Sequence, residues 1–262
     1  MKVSDSASED TPAVATAPEL KLYFDAGINA CQPGLFVFIT HGHRDHSSAL
    51  PSFVAGHLEA GIGFPDIYAP TESVQRFQEY MDASYHLACD TDADGIVKVK
   101  PSSPGDEVIV SKKTGHYIRS YELYHGIPTR GYGIRQRRKK LNPKYAGLDK
   151  NELAVLGRAK TQDMSIEEDF PLLAYVCDST VEVFERSPEL LEYKYVIVEC
   201  TFFCEGATMR RKHIHWDDLR PFVEDNPDTQ FIIVYLSMRY TDDEIASFGT
   251  SLPVNARVWS NY

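Results

Sequence analysis

The amino-acid sequence predicts an α/β fold, with helices covering β-sheets, on three observations. Short apolar runs of strand length alternate with amphipathic segments of helical spacing, in two successive halves of the chain. Several of these runs end abruptly on a histidine or an aspartate, among them His41, His125 and Asp178. The composition, 43% hydrophobic and 25% charged over 262 residues, is that of an ordinary soluble chain long enough for one large domain or two fused halves.

Residues 1–19 are rich in Ser, Asp, Glu, Ala and Pro without a basic or an apolar block, which predicts a flexible acidic leader, with residues 11–16 able to add an edge strand. Leu20 to Phe24 alternates as a strand and turns at Asp25-Ala26-Gly27, and Leu35 to Ile39 is a short buried strand. Ala49 to Leu58 suits a helix and Asp66 to Ala69 a strand. Thr71 to Leu87 is an amphipathic helix, with Val74, Phe77, Tyr80 and Met81 at helical spacing. Strands then follow at Ile96 to Val99, Glu107 to Val110 and Tyr117 to Leu123, with Tyr132 to Arg137 as a hairpin partner. Residues 138–169 are polar and predict a surface excursion with a short helix at Asn151 to Leu156. The second half places strands at Pro171 to Val176, Lys194 to Val198, Gln230 to Tyr235 and Arg257 to Trp259, and helices at Trp216 to Glu224 and Asp242 to Phe248.

The chemistry concentrates at strand ends. The tract His41-Gly42-His43-Arg44-Asp45-His46 follows an apolar strand and holds three of the chain's nine histidines. Residues two apart on extended chain point the same way, so His41 and His43 can converge on one ion and Asp45 and His46, past the turn, can face a second, which makes the tract a one- or two-metal site. His125 and Asp178 end later strands, and a bridging carboxylate such as Asp178 serves two ions about 3.5–4 Å apart.

With these motifs in order, the chain resembles the short-form tRNase Z (ribonuclease Z) family of metallo-β-lactamase fold endonucleases. The resemblance rests on Lys21 to Gly27, the His41 to His46 tract followed by Ala49-Leu50-Pro51, His125-Gly126-Ile127-Pro128 with Gly131-Tyr132, and Cys177-Asp178-Ser179-Thr180. Glu199-Cys200-Thr201-Phe202, His213-Ile214-His215 and Ser237-Met238-Arg239-Tyr240 complete it. It implies an αββα sandwich, two mixed β-sheets flanked by helices, formed by a single domain over residues 20–262. It also implies zinc, a tRNA precursor or other RNA phosphodiester as substrate, and a homodimer. The implied metal ligands are His41, His43, Asp45, His46, His125 and Asp178. Asp45, His213 and Glu199 become catalytic candidates, with Asp45 handling the attacking water and His213, oriented by Glu199, protonating the leaving oxygen. Arg239, Ser237, Tyr240 and His215 become substrate-binding candidates.

One position departs from the family. Where it has a metal histidine two residues before the Ser of Ser-x-Arg-Tyr, this chain has Tyr235. A neutral phenol is a poor divalent ligand beside an imidazole, so one zinc site is complete and the second lacks its closing ligand. The substitution opens an alternative: a degenerate homologue acting in binding or assembly, or a hydrolase of a small phosphodiester or ester.

The formal net charge of −11 excludes a global basic field for nucleic acid, leaving Arg135 to Lys140 and Arg210-Arg211-Lys212 as the dense basic tracts, either phosphate-tracking or simply solvated. Five scattered cysteines suit reduced thiols and a cytoplasmic location, and no apolar run reaches the roughly 18 residues of a membrane span.

Overall fold

The computed structural model describes residues 15–28, 34–158, 163–204 and 212–259. The first sheet comprises β1 (Ala15–Ala17), β2 (Leu22–Phe24), β3 (Phe36–Phe38), β4 (Asp66–Pro70) and β5 (Val99–Ser102), in that order across the sheet. Only β1 runs antiparallel to its neighbour. Between β3 and β4 come α1 (Arg44–Ser47) and α2 (Leu50–Glu59), and α3 (Val74–Cys89) follows β4. The second sheet has seven strands: β6 (Glu107–Ser111), β7 (His116–Tyr124), β8 (Pro128–Leu141), β9 (Ser165–Val176), β10 (Tyr195–Glu199), β11 (Gln230–Val234) and β12 (Ala256–Val258). They lie in sequential order, antiparallel from β6 to β9 and parallel from β9 to β12. Helix α4 (Lys150–Arg158) joins β8 to β9, α5 (Glu182–Arg186) follows β9, α6 (Trp216–Asp225) precedes β11, and α7 (Asp242–Ser251) precedes β12.

The period of two along each strand divides the core. Leu22, Phe24 and Phe38 point inward to the second sheet, where Phe24 meets Tyr132 and Tyr175 with ring centroids 5.9 and 5.3 Å apart. The alternate residues Tyr23, Val37, Ile67 and Ala69 face outward and are covered by Leu50, Phe53 and Val54 of α2 and Phe77 and Met81 of α3. Val183, Phe184, Leu219, Val223 and Phe248 of α5, α6 and α7 join the core of the second sheet. Burying each such side chain contributes about 1.5–3 kcal/mol. The result is the expected αββα layering of two mixed sheets with helices.

Strand direction decides where function gathers. β7 is two antiparallel steps from β9 and so runs with it, parallel to β10 and β11. The carboxyl ends of β7, β9, β10 and β11 therefore share one edge of their sheet. Hydrogen bonds and ion pairs from these ends reach the residues following β2 and β3 on the other sheet.

Three expectations change. The acidic leader gives way to structure at Ala15, because Ala15 and Ala17 are buried in the edge strand β1; residues 1–14 lie outside the described residues. The strand placed at Ile96 to Val99 forms instead at Val99–Ser102, where Pro101 is tolerated because β5 is an edge strand. The polar excursion over 138–169 keeps its helix, as α4, but is sheet at both ends: past Gln136 the register with β7 ends, and residues 137–141 and 165–169 continue as a two-stranded ribbon. Its register sets Arg137, Arg138 and Lys139 opposite Asp169, Glu168 and Glu167. Arg135 pairs with Asp169 at 2.9 Å, Arg137 with Glu107 at 2.6 Å, and Lys140 with Glu168. Three of the tract's five cations are thus paired with acids of neighbouring strands, which argues against a phosphate track. Arg210 and Arg211 lie outside the described residues.

Candidate metal centre

His41 and His43 are delivered by the extended chain leaving β3, Asp45 and His46 by the short α1, His125 by the end of β7 and Asp178 by the end of β9. One ligand atom from each of His41, His43, His125 and Asp178 lies within 4.8 Å of the others. His41 Nε2 is 3.0 Å from His43 Nδ1, which is 3.3 Å from His125 Nε2. Asp178 Oδ2 stands 3.5 Å from His125 Nε2 and 3.7 Å from His41 Nε2. Four donors at about 2.0–2.1 Å from zinc in a tetrahedron are about 3.3–3.4 Å apart, so this spacing fits the ion. Nitrogens facing each other at such distances need a proton or a cation between them.

The far sides of three of these rings, His41, His125 and His46, are held. Thr40 Oγ1 lies 2.9 Å from His41 Nδ1, and His125 Nδ1 donates to the Lys212 carbonyl at 2.9 Å. His46 Nδ1 donates to Asp25 Oδ2 at 2.9 Å. Partners of this kind set the tautomer and leave the other nitrogen free to ligate. His46 Nε2 is buried without a hydrogen-bond partner, although Asp45 Oδ2 and Asp178 Oδ2 come within 3.1 and 3.6 Å outside hydrogen-bond geometry. An orphaned buried imidazole nitrogen facing two carboxylates is a second position suited to a cation.

The electrostatics agree. Burial holds His41 well below the usual imidazole range, as do the neighbouring histidines, and burial takes His125 down to about 4, so both are neutral donors. Burial likewise lowers His43. Burial opposes charge on His46, yet Cys177, Asp25 and Asp178 outweigh it and raise this histidine well above its ordinary value. Burial pushes Asp178 up to about 7, with Glu199 and Asp45 adding to the rise. Burial also raises Asp45, but the adjoining His46 more than offsets this and leaves it below its usual value. Buried carboxylates beside the neutral rings of His41 and His125 form a site that favours positive charge.

Glu199 is fully buried at the end of β10, accepting from Ser179 N at 2.9 Å and Thr201 Oγ1 at 2.6 Å. Its Oε2 lies 3.2 Å from His213 Nδ1, whose ring centroid is 4.9 Å from that of His125. A carboxylate–imidazole pair therefore borders the four-donor cluster.

The residues assigned to substrate divide. Arg239 is exposed, stacks over Phe202 at 4.8 Å and donates to Ser237 Oγ at 3.1 Å. Tyr240 turns its hydroxyl to the backbone N–H of Phe203 at 3.1 Å and stacks on that ring, so it braces the loop after β10. His215 is buried and caps α6, with Nδ1 accepting from Asp217 N at 3.2 Å and Nε2 donating to the Cys204 carbonyl at 3.1 Å. Both its nitrogens are used internally.

Tyr235 follows β11 in the left-handed backbone region at φ 60°, uncommon for an aromatic residue. Its hydroxyl shares a 2.6 Å hydrogen bond with Tyr175, whose hydroxyl reaches Asp25 Oδ2 at 3.3 Å. The phenol thus stands behind His46, through Tyr175 and Asp25. Asp25, buried and also bonded by Thr40 N at 2.7 Å, was not among the sequence candidates; an acid ending β2 is the same signal that marks Asp178. Cys177 is buried with its thiol pushed up to about 12 by burial, which keeps it protonated.

No family model matches the chain. The chain is 25% identical over 248 residues to the tRNase Z TRZ1 of Arabidopsis thaliana, covering 90% of this chain and 85% of that protein. It is 31% identical over 142 residues to the nuclear ribonuclease Z of Triticum aestivum, 53% of this chain and 77% of the relative. Among solved structures, the metallo-β-lactamase fold protein YhfI of Bacillus subtilis superposes with a TM-score of 0.64 at 13% identity, covering 98% of this chain and 95% of that one. Motif order, sheet architecture and these relatives agree: the chain belongs to the ribonuclease Z (tRNase Z) family.

Proposed function

We propose that the protein is a zinc-dependent phosphodiesterase that cleaves RNA, with tRNA precursors bearing 3′ trailers as substrate. The observation that carries this is the convergence of His41, His43, His125 and Asp178 at zinc-like spacing beside the Glu199–His213 pair. His41, His43, His125 and Asp178 would hold one ion, and Asp45, His46 and Asp178 would contribute to a second position. Zinc there supplies a Lewis acid for the phosphodiester and lowers the pKa of water. Asp45, ionised at neutral pH, orients the attacking water and accepts its proton. His213, held by Glu199, donates a proton to the departing 3′ oxygen, and Arg239 binds a phosphate oxygen.

Tyr235 favours one ion over two. Its hydroxyl is engaged with Tyr175, and it stands where the family has the histidine that would close the Asp45–His46–Asp178 group. Substituting Tyr235→His is expected to raise zinc content from one per chain toward two, read by elemental analysis. Cys89, Cys177, Cys200 and Cys204 are free thiols, which supports a reducing compartment such as the cytoplasm. Among the described residues no helix is long and apolar enough to cross a membrane. The homodimer implied by the family is tested by light scattering.

The functional test is cleavage of a trailer-bearing tRNA precursor by zinc-loaded protein, beside a chromogenic phosphodiester. Cleavage at the 3′ end of the tRNA supports the proposal. Turnover of the small ester alone points to a small-molecule hydrolase, and zinc-free, inactive protein points to a binding or assembly role.

A further inference from the structure

A cleft of about 580 Å³ opens directly beside His43, walled by α1, α3 and the loop that follows His125. Arg44 and Arg76 line it from two different helices. Both are exposed, and among the described residues neither guanidinium makes an ion pair or hydrogen bond. The acids nearest to Arg76 in sequence are occupied elsewhere: Glu72 accepts both its hydrogen bonds from Arg130 at 2.7 Å, and Glu79 accepts from Gln75 at 3.0 Å. In a chain of net charge −11, and in contrast to the paired cations of the β8–β9 ribbon, these are free guanidiniums next to the candidate metal centre.

The remaining wall is flat and apolar. Phe77, Tyr80, Ile127 and Pro128 form it. Tyr80 is 40% exposed, and its hydroxyl donates to the Ser48 carbonyl at 2.9 Å, which holds the ring at the cleft. Guanidiniums match phosphate oxygens in bidentate geometry, and an aromatic ring offers a sequence-tolerant platform for a nucleobase. Two cations and a fixed aromatic face in one cleft therefore have the chemistry of a nucleotide.

We infer that this cleft receives one nucleotide of the RNA strand, adjacent to the phosphodiester being cleaved, with its phosphate on Arg44 and Arg76 and its base on Tyr80. The inference rests on the phosphodiesterase reading and adds a strand-binding subsite to it. The strand bound at the zinc centre continues past His43 into the cleft, so the subsite grips single-stranded RNA without requiring a particular base.

Calorimetric titration of adenosine 5′-monophosphate into the zinc-loaded full chain tests this. The combined Arg44→Gln and Arg76→Gln variant is expected to weaken the nucleotide about tenfold or more, because charge-assisted phosphate contacts are lost. Tyr80→Ala is expected to weaken it at least about fivefold through lost stacking. In steady-state cleavage of a trailer-bearing precursor, the arginine variant should raise KM by a similar factor with kcat within about twofold, as when ground-state and transition-state binding are lost equally. Unchanged nucleotide affinity in the arginine variant overturns the subsite, whatever RNA the wild type cleaves. Affinity lost in that variant, from a wild type that cleaves no RNA, would keep the nucleotide site and sink the RNA reading.

Discussion

The strand-tip cluster and the β8–β9 ribbon both crowd charged and titratable side chains together, and they treat them in opposite ways. Along the ribbon, Arg135, Arg137 and Lys140 meet carboxylates from adjacent strands, at or near the surface, so the charges satisfy one another. At the strand tips, His41, His46, His125 and Asp178 are buried, their donor atoms turn toward each other, and His46 Nε2 finds no hydrogen bond. Burial without satisfaction is costly unless an external cation completes the set. Density of charge is therefore not the mark of a site; what distinguishes it is that the protein leaves the charge unanswered.

The most disruptive way to break this contrast is Asp178→Ala, which removes the carboxylate lying within 3.7 Å of three imidazoles. It should strip bound zinc, as read by elemental analysis, and lower RNA cleavage by about a thousandfold or more, matching a loss of several kcal/mol of metal stabilisation. His213→Ala should retain zinc yet lower kcat by about a hundredfold or more, as expected for a lost general acid. Asp25→Asn leaves the donors in place and weakens the hold on Thr40, whose hydroxyl lies 2.9 Å from His41 Nδ1, so zinc affinity should fall about 10–100-fold in a competition titration. On the ribbon, Lys140→Gln should shift unfolding free energy by under about 1 kcal/mol, measured by urea titration, and leave zinc content as it was. A large effect of Lys140→Gln on zinc or cleavage would erase the distinction between the two regions.

What could be seen in the sequence follows the same division. The His41 to His46 tract was visible because its donors are adjacent in the chain and follow an apolar strand. His125, Asp178 and Glu199 were visible because each interrupts an apolar run at its end. Asp25 escaped because a single acid before a glycine turn also suits an ordinary turn, and its partners Thr40 and His46 are 15 and 21 residues away. That both ring nitrogens of His215 are engaged, one by a helix cap and one by a carbonyl, is not legible in the sequence, because Cys204 is 11 residues away. The ribbon was obscured because its strands carry charge on both faces, which removes the period of two that announces a half-buried strand. Tyr235 announced a missing ligand, whereas its tie to Asp25 through Tyr175 depends on side chains brought together only by folding.

The most direct test of the central claim is X-ray absorption at the zinc edge on purified, zinc-loaded protein. The account predicts a shell of nitrogen and oxygen only, at about 2.0–2.1 Å, from His41, His43, His125 and Asp178, which disappears in Asp178→Ala. A sulfur shell near about 2.3 Å, which would mean ligation by a buried cysteine such as Cys177, or protein that retains no zinc, would contradict it.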